Sequence, residues 1–258
     1  TTLFRSSTYG DREHVVPTTD FEDAIKRTIA RGGSVLIPAF AVDRTEVILV
    51  RLRELMEQEL IPRVPIYADS PMALKALTFY RNAIDEGSPE IRSEVRDRWR
   101  GRDPFDPGTF VELLSVEESK TINDPVEPCI IISASGMGTG GRVVHHLRQM
   151  LPKAKHTVLL VGYQAIGTRG RNLVDGAEEV RMHGEMVPVK ASIEQIGSFS
   201  VHADSNELIE WLGTAYPKPK MVFVVHGESG AAETLGDRIK SQLGWSSHVP
   251  HDGEVVPL

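Results

Sequence analysis

With 258 residues, 40% of them hydrophobic and 25% charged, the chain has the balance of a folded protein rather than a disordered or fibrous one, with length for one core or two. A formal net charge of −7 argues against holding nucleic acid through a general positive field; such a substrate would need a local basic or metal-lined groove. The lone cysteine, Cys129 in the run CIII, excludes an intramolecular disulfide and points to a reducing, cytoplasmic setting, and no apolar run reaches the roughly 20 residues of a spanning helix, so no membrane partner is expected.

The chain opens on Thr1 rather than Met, as expected of a piece of a longer protein. Phe21, Ala24, Ile25 and Ile29 fall on one helical face, and Gly32-Gly33 ends that helix before the strand SVLIPAF. A helix over Arg44 to Glu59, a strand VPIYA at 64 to 68 and a helix opening at Ser70-Pro71 continue the rhythm, proline suiting a first helical turn. Residues 84 to 110, rich in charge, glycine and proline, read as a short helix inside a solvated excursion. Then come strand CIIISAS (129 to 135), helix GRVVHHLRQML (141 to 151), strand TVLLVGY (157 to 163) and a loop GTRGR (167 to 171). Short apolar strands between helices predict an α/β layer with a parallel sheet covered on both faces. From about Met182 the texture changes to a longer strand-like stretch, VPVKASIEQIGSF, then a helix over 204 to 213, strand MVFVVH, a helix over 230 to 243 and a last strand near HVP. Residues 184 to 258 are therefore expected to form a different lobe from 17 to 180.

The segment ASGMGTGGR, 134 to 142, follows a strand and opens a helix. Gly136, Gly138 and Gly141 match the G-x-G-x-x-G spacing of a dinucleotide site, but TVLLVGYQ ends without the acid that would hold the ribose. Two readings stay open: a phosphate site built from backbone amides, Ser133, Ser135, Gly136, Gly140, Gly141 and Arg142, or a tight turn that needs glycine for packing. His202, in FSVHAD beside a helix-capping Asp204, and His226, in FVVHGES after a buried strand, sit at strand ends where ligands bind in open α/β sheets. One of His145 and His146 is expected to face the glycine loop; His14, His156, His183, His248 and His251 are expected at the surface.

Together and in this order, STYGDR (7 to 12), PAFAVDRTE (38 to 46), DSPMA (69 to 73), SASGMGTGGRVVHHL (133 to 147), VGYQAIGTRGR (161 to 171), MHGEMVPVKASI (182 to 193), FSVHAD (199 to 204) and VHGE (225 to 228) resemble the β-CASP branch of the metallo-β-lactamase superfamily, the RNA-processing nucleases. The resemblance covers nearly the whole chain. It implies a β-CASP α/β domain over 17 to 180 inserted in a metallo-β-lactamase fold, whose C-terminal part is 184 to 258, with 1 to 16 the end of the N-terminal lactamase segment or a junction. It further implies hydrolysis of RNA phosphodiester bonds with two zinc ions, single-stranded RNA as partner, His202 as the catalytic histidine and His226 as a zinc ligand. Arg44, Ser70, Ser135 and Arg142 would line the cleft and hold substrate phosphates.

Two departures qualify this. Ser6 stands where the family carries its motif A acid: either the acid is lost or the sequence meets a junction there, the junction being preferred because Thr1 to Arg5 lack the family's apolar strand. The upstream H-x-H-x-D-H ligands are not in this chain, and His226 alone cannot hold zinc, which needs three or four protein ligands. The expectation is thus a portion of a zinc-dependent ribonuclease, inactive alone and without stoichiometric zinc; the alternative is a non-catalytic RNA-binding or scaffolding module of the same fold. Separated from the N-terminal lobe, strands of 184 to 258 would expose an edge, which predicts a homodimer or disorder there.

Overall fold

In the computed structural model the described residues are 19–197, 199 and 203–256. They divide into two compact units, one spanning 17–200 and one whose described part is 203–256.

The first unit runs, in chain order, through helix α1 (Thr19–Ala30), strand β1 (Val35–Pro38), α2 (Arg44–Glu57), β2 (Ile66–Asp69), α3 (Pro71–Asp85), α4 (Ser93–Trp99), β3 (Phe110–Glu112), α5 (Val116–Thr121), β4 (Ile130–Ser133), α6 (Val143–Met150), β5 (Thr157–Leu160), α7 (Arg169–Val174), hairpin β6 and β7 (Glu179–Met182, Glu185–Pro188) and β8 (Ser192–Gln195). Strands β3, β2, β4, β1, β5 and β8 lie side by side in that order, each parallel to its neighbours. Successive strand side chains point to opposite faces, and the sequence is apolar on both. Val35, Ile37, Ile130 and Ile132 enter one core with Phe21, Ile25, Ile48 and Leu52. Leu36, Ile131, Val158 and Leu160 enter the other with Leu147, Met150 and Leu173. The parallel α/β layer with helices on both faces is what the apolar runs imply.

Helix α1 ends as its glycine pair predicts. Gly32, at φ 71°, donates to the Ile29 carbonyl at 2.9 Å, and Gly33 donates to the Thr28 carbonyl at 3.0 Å. These two bonds close a Schellman cap. Gly33 has a second reason to be glycine: a Cβ there would stand 1.7 Å from the Lys155 carbonyl oxygen. That oxygen is backbone and cannot swing away. Gly33→Ala is expected to cost about 3 kcal/mol in urea denaturation, toward the upper end of overpacking penalties; an unchanged midpoint would mean that the two turns move apart freely.

Several local expectations change. The excursion over 84 to 110 is pinned by two aromatic anchors, Trp99 and Phe105, which are buried in the α1–α3 side core. Arg53, Arg98 and Arg102 place their guanidinium groups 4.8, 4.8 and 5.5 Å from the Trp99 ring centre. They also pair with Glu54 or Glu57 of α2. The charges that made the segment look solvated therefore carry apolar stems that cover a tryptophan. The loop expected at GTRGR instead enters α7, because the Thr168 hydroxyl accepts from the Arg171 amide at 3.2 Å and caps the helix. The strand-like stretch from Val187 to Phe199 is broken after β7, and its second part, β8, pairs with β5 as the outermost strand of the sheet. Residues 184–197 thus pack with the first unit rather than with the second.

The second unit contains α8 (Ser205–Gly213), β9 (Val222–Phe223), α9 (Ser229–Arg238) with a π-helical turn over Ile239–Leu243, and β10 (Ser247–His248). Asp204 caps α8, accepting from the Asn206 and Glu207 amides at 2.8 and 2.9 Å, as its placement suggested. Leu208, Leu235, Ile239 and Trp245 form its core. The strand expected over 221 to 226 narrows to β9, parallel to β10.

Candidate functional site

The parallel register brings the C-terminal ends of β1, β2 and β4 level, with Pro38 beside Ser133 and Asp69 beside Ser133. The loops that leave these ends carry most of the residues that the sequence marks as candidates, at the sheet end where ligands bind in α/β folds.

Asp69 is the hub of this end. It is fully buried, and its carboxylate accepts from Ser119 Oγ at 2.6 Å, Arg142 Nη1 at 2.7 Å and His146 Nε2 at 2.7 Å. Burial pushes its pKa up, but the hydrogen bonds from His146, Ser119 and Arg142 outweigh this and hold the carboxyl below its ordinary value. Arg142 also donates to the Leu113 and Leu114 carbonyls, each at 3.1 Å. Its guanidinium therefore ties the loop before α6 to the α5 region.

Ser133 is turned inward, 1% exposed, and donates to the Asp69 carbonyl at 3.0 Å. The Ser70 hydroxyl accepts from the Ala73 amide at 3.3 Å and caps α3. Ser135 Oγ lies 3.2 Å from Thr139 Oγ1 and accepts from the Thr139 amide at 3.3 Å. A Cβ at Gly136 would meet the Phe40 ring at 3.0 Å, so close loop packing demands that glycine. Gly140 is exposed and has nothing within 4 Å of its Cβ position, so packing does not explain it. Packing accounts for Gly136, and at Gly141, φ 78°, a Cβ would stand 3.0 Å from the Ala134 carbonyl oxygen, so the turn demands that glycine too; Gly140 alone of the three has no packing reason.

Arg44 begins α2 and is buried, its Nη2 3.8 Å from the Cβ position of Gly162 at the end of β5. Two positions along, Glu46 is 4% exposed, and neither carboxylate oxygen closes a hydrogen bond with a described residue. Burial is the main cause that raises its pKa to about 7; the Asp43 charge adds to it, while the Glu46 and Asp43 amides offset a part. Reading the sequence alone misses Glu46. The signal was available, as an acid two residues from a buried arginine in PAFAVDRTE, but acids in a first helical turn are usually solvated.

Of the two histidines on α6, His146 points inward to Asp69 and His145 is exposed. His145 stacks on His183, ring centres 4.7 Å apart at 28°. His183 and Gly184, at φ 48° and 87°, form the two-residue turn of the β6–β7 hairpin. His156, expected at the surface, is instead fully buried; its Nδ1 accepts from the Ser34 amide at 3.0 Å. Burial, with Lys155 and Lys153 nearby, pushes its pKa down to about 4. Cys129 is a buried thiol, pushed up to about 11 by burial and so unreactive.

In the second unit His226 follows β9, is exposed, and has φ 63°. A non-glycine residue held in this conformation is one of the marks of a functional position. His202, Ser6 and the STYGDR segment lie outside the described residues. Among the described residues no group of three or more His, Cys, Asp or Glu could hold a metal ion. The described residues alone do not make a zinc site around His226. No described helix is long and apolar enough to cross a membrane.

The Beta-Casp domain family matches residues 45–173, and the Zn-dependent metallo-hydrolase RNA specificity domain family matches 186–250. Ribonuclease TTHA0252 of Thermus thermophilus is 35% identical over 259 residues, covering 99% of this chain and 58% of that protein. Transcription termination factor FttA of Thermococcus kodakarensis is 33% identical over 267 residues, covering 100% of this chain and 41% of the relative. The RNase J-like protein of Methanocaldococcus jannaschii is 33% identical over 261 residues, covering 99% of this chain and 59% of the relative. The chain thus spans 41% to 59% of the length of these relatives. With its six-stranded parallel sheet, its strand-end loops and these two matches, the chain belongs to the β-CASP nuclease family of the metallo-β-lactamase superfamily.

Proposed function

We propose that this chain is the later part of a zinc-dependent ribonuclease that hydrolyses phosphodiester bonds of single-stranded RNA. The observation that carries the reading is the convergence of loops at the C-terminal end of the parallel sheet, where Asp69, through His146, Arg142 and Ser119, fixes the glycine loop in place. That loop presents the Ser135 hydroxyl, Gly140 and Gly141 as phosphate contacts. Ser70, Ser133 and Arg142 act one step back, by holding the backbone that makes these contacts. Arg44, buried at the start of α2, supplies positive charge at the same end of the sheet.

In the whole protein His226 would be one zinc ligand, and the others would come from residues outside those described. Zinc in such a site activates water for attack on phosphorus. His202, from the same FSVHAD segment as the Asp204 cap, would donate a proton to the leaving oxygen. Residues 17–180 would be the β-CASP insertion and 184–258 the closing lactamase segment, the first part of which, through β8, adds the outermost strand to the β-CASP sheet.

The test compares two proteins, the 258-residue chain and the full-length gene product, by zinc analysis and by cleavage of a labelled single-stranded RNA. The chain alone is expected to bind RNA without cleaving it and without stoichiometric zinc. The full-length protein is expected to cleave, and His226→Ala to lower its rate by about a thousandfold or more, as loss of a group essential to electrostatic stabilisation does. A full-length protein that binds RNA but never cleaves it would establish the non-catalytic alternative.

A further inference from the structure

A cavity of about 520 Å³ opens on the first unit between α5, the glycine loop, the start of α6, α7 and the turn of the β6–β7 hairpin. Its ionisable lining is Lys120, Arg142, His145, Arg169 and His183, with no Asp or Glu among the lining residues. This is unusual in a chain of net charge −7. It is the kind of local basic groove that such a protein needs in order to hold a polyanion.

The groups that face the cavity are also available. Lys120, His145 and His183 are exposed, and none of their side chains makes a hydrogen bond or ion pair to another described residue. The backbone amides of Gly140 and Gly141, which also line the cavity, donate to no protein acceptor among the described residues. Arg169 spends its guanidinium on the carbonyls of Gly138 and Arg181. These partners are neutral, so its charge stays uncompensated. The nearby carboxylates are engaged elsewhere: Asp69 with its three donors, Glu185 with Arg148, and Glu118 with the amides of Leu114 and Ser115. Helix α6 has no acid in its first turn to balance its positive end. The pKa of His145 is lowered, first by burial and then by the positive charge of His183, His146, Arg148 and Lys120, the mark of a positive local field.

We infer that this cavity binds a phosphate group, held by Lys120, the His145–His183 pair and the Gly140 and Gly141 amides, with Arg169 supplying charge from behind. Its position beside the glycine loop suits a backbone phosphate of bound RNA; the same chemistry would also take the phosphate of a small nucleotide. The RNA source rests on the proposed function, whereas the phosphate site does not. Arg142 is balanced by Asp69, but Lys120 and Arg169 have no carboxylate partner among the described residues, and the positive charge they leave is what an anion cancels. A phosphate offers oxygens to both amides and to several cationic donors at once.

The experiment is a titration of the purified chain with inorganic phosphate and with AMP, following the amide resonances of Gly140 and Gly141 and the ring resonances of His145 and His183. Saturable shifts confined to these groups are expected. Lys120→Glu and His183→Asn should each weaken binding by about tenfold. Asparagine is chosen because it tolerates the left-handed turn conformation. Lys190→Glu, the same charge change at an exposed lysine outside the cavity lining, should leave binding unchanged. In a parallel arm, fluorescence anisotropy measures affinity for a short single-stranded RNA at several salt concentrations. If the phosphate is that of RNA, Lys120→Glu should also weaken RNA binding and flatten its salt dependence by roughly 0.7 for each phosphate no longer neutralised. Shifts with phosphate and AMP but no effect on RNA binding would assign the site to a small phosphate ligand. Absence of saturable shifts, or equal effects of Lys120→Glu and Lys190→Glu, would overturn the site. RNA binding and cleavage that fail in the full-length protein while the phosphate shifts persist would sink the nuclease reading and leave the cavity standing.

Discussion

Replacing Asp69 by alanine is expected to cost about 3–5 kcal/mol of stability, the loss typical of breaking a buried charge network from one side. Asp69 and His146 are both fully buried, and the Arg142 side chain is 18% exposed. Removal of the carboxylate strands a fully buried imidazole that has no water to turn to, leaves the part-buried Arg142 guanidinium without its counter-charge, and frees Ser119 as well. The damage is also geometric, because the three partners lie on α5, at the start of α6 and on α6, and only Asp69 joins them to β2. Asp69→Asn keeps the volume and part of the hydrogen bonding and should lose about half as much. Because the carboxyl is held below its ordinary pKa of 3.8, its stabilisation is present above that pH and is lost on acidification. Denaturant titrations of both variants at neutral pH decide the matter. A loss under about 1 kcal/mol for Asp69→Ala would show that the cluster is solvated or collapses without cost.

The second large effect is visible only as a slope against pH. Glu46 has its pKa raised from 4.5 to about 7, so the folded state binds its proton more tightly than the unfolded chain does. Its contribution is complete below pH 4.5 and is lost as pH rises to about 7. His156 is shifted from 6.5 to about 4, and the unfolded chain binds that proton more tightly. Its contribution is complete above pH 6.5 and is lost as pH falls toward 4. Each is worth up to about 3 kcal/mol, and across the shared window their slopes oppose and nearly cancel. Glu46→Gln should therefore make stability rise with pH, relative to the native chain, between about 4.5 and 6.5. His156→Gln should make it fall over the same range. The slope, not its height, is the readout, because a buried amide carries a desolvation cost of its own. Parallel pH profiles for the native chain and Glu46→Gln would mean that Glu46 reaches solvent or a partner.

Much of the architecture was legible because it depends on local patterning. Apolar runs such as VLIP, CIII and TVLL between helical segments could be buried on both faces only in a parallel sheet, and Gly32-Gly33 marks a helix end through backbone chemistry that acts over a few residues. The motifs that resemble the β-CASP family likewise act as strings, which is why STYGDR, DSPMA and SASGMGTGG point to the family without any contact being known.

What the string does not contain is the partner of each polar side chain. Nothing in DSPMA indicates that Asp69 will meet Ser119, Arg142 and His146 across 50, 73 and 77 residues. Ser133 and Arg142, which read as phosphate ligands, are instead occupied at that hub. His156 reads as a surface residue because a histidine between lysine and threonine looks solvated, yet the packing of β5 against the Ser34 turn buries it. Trp99 lies in so charged a stretch that only the fold shows arginine stems closing over it. The cationic cavity draws Lys120, His145, Arg169 and His183 from four elements. The parallel α/β layer and the family are written in the chain residue by residue, because short-range periodicity, helix-end chemistry and motif strings need no long-range contact. Which charges are buried, paired or left facing a cavity is settled by folding, because desolvation and Coulomb attraction depend on distances that the chain sets only once it has folded.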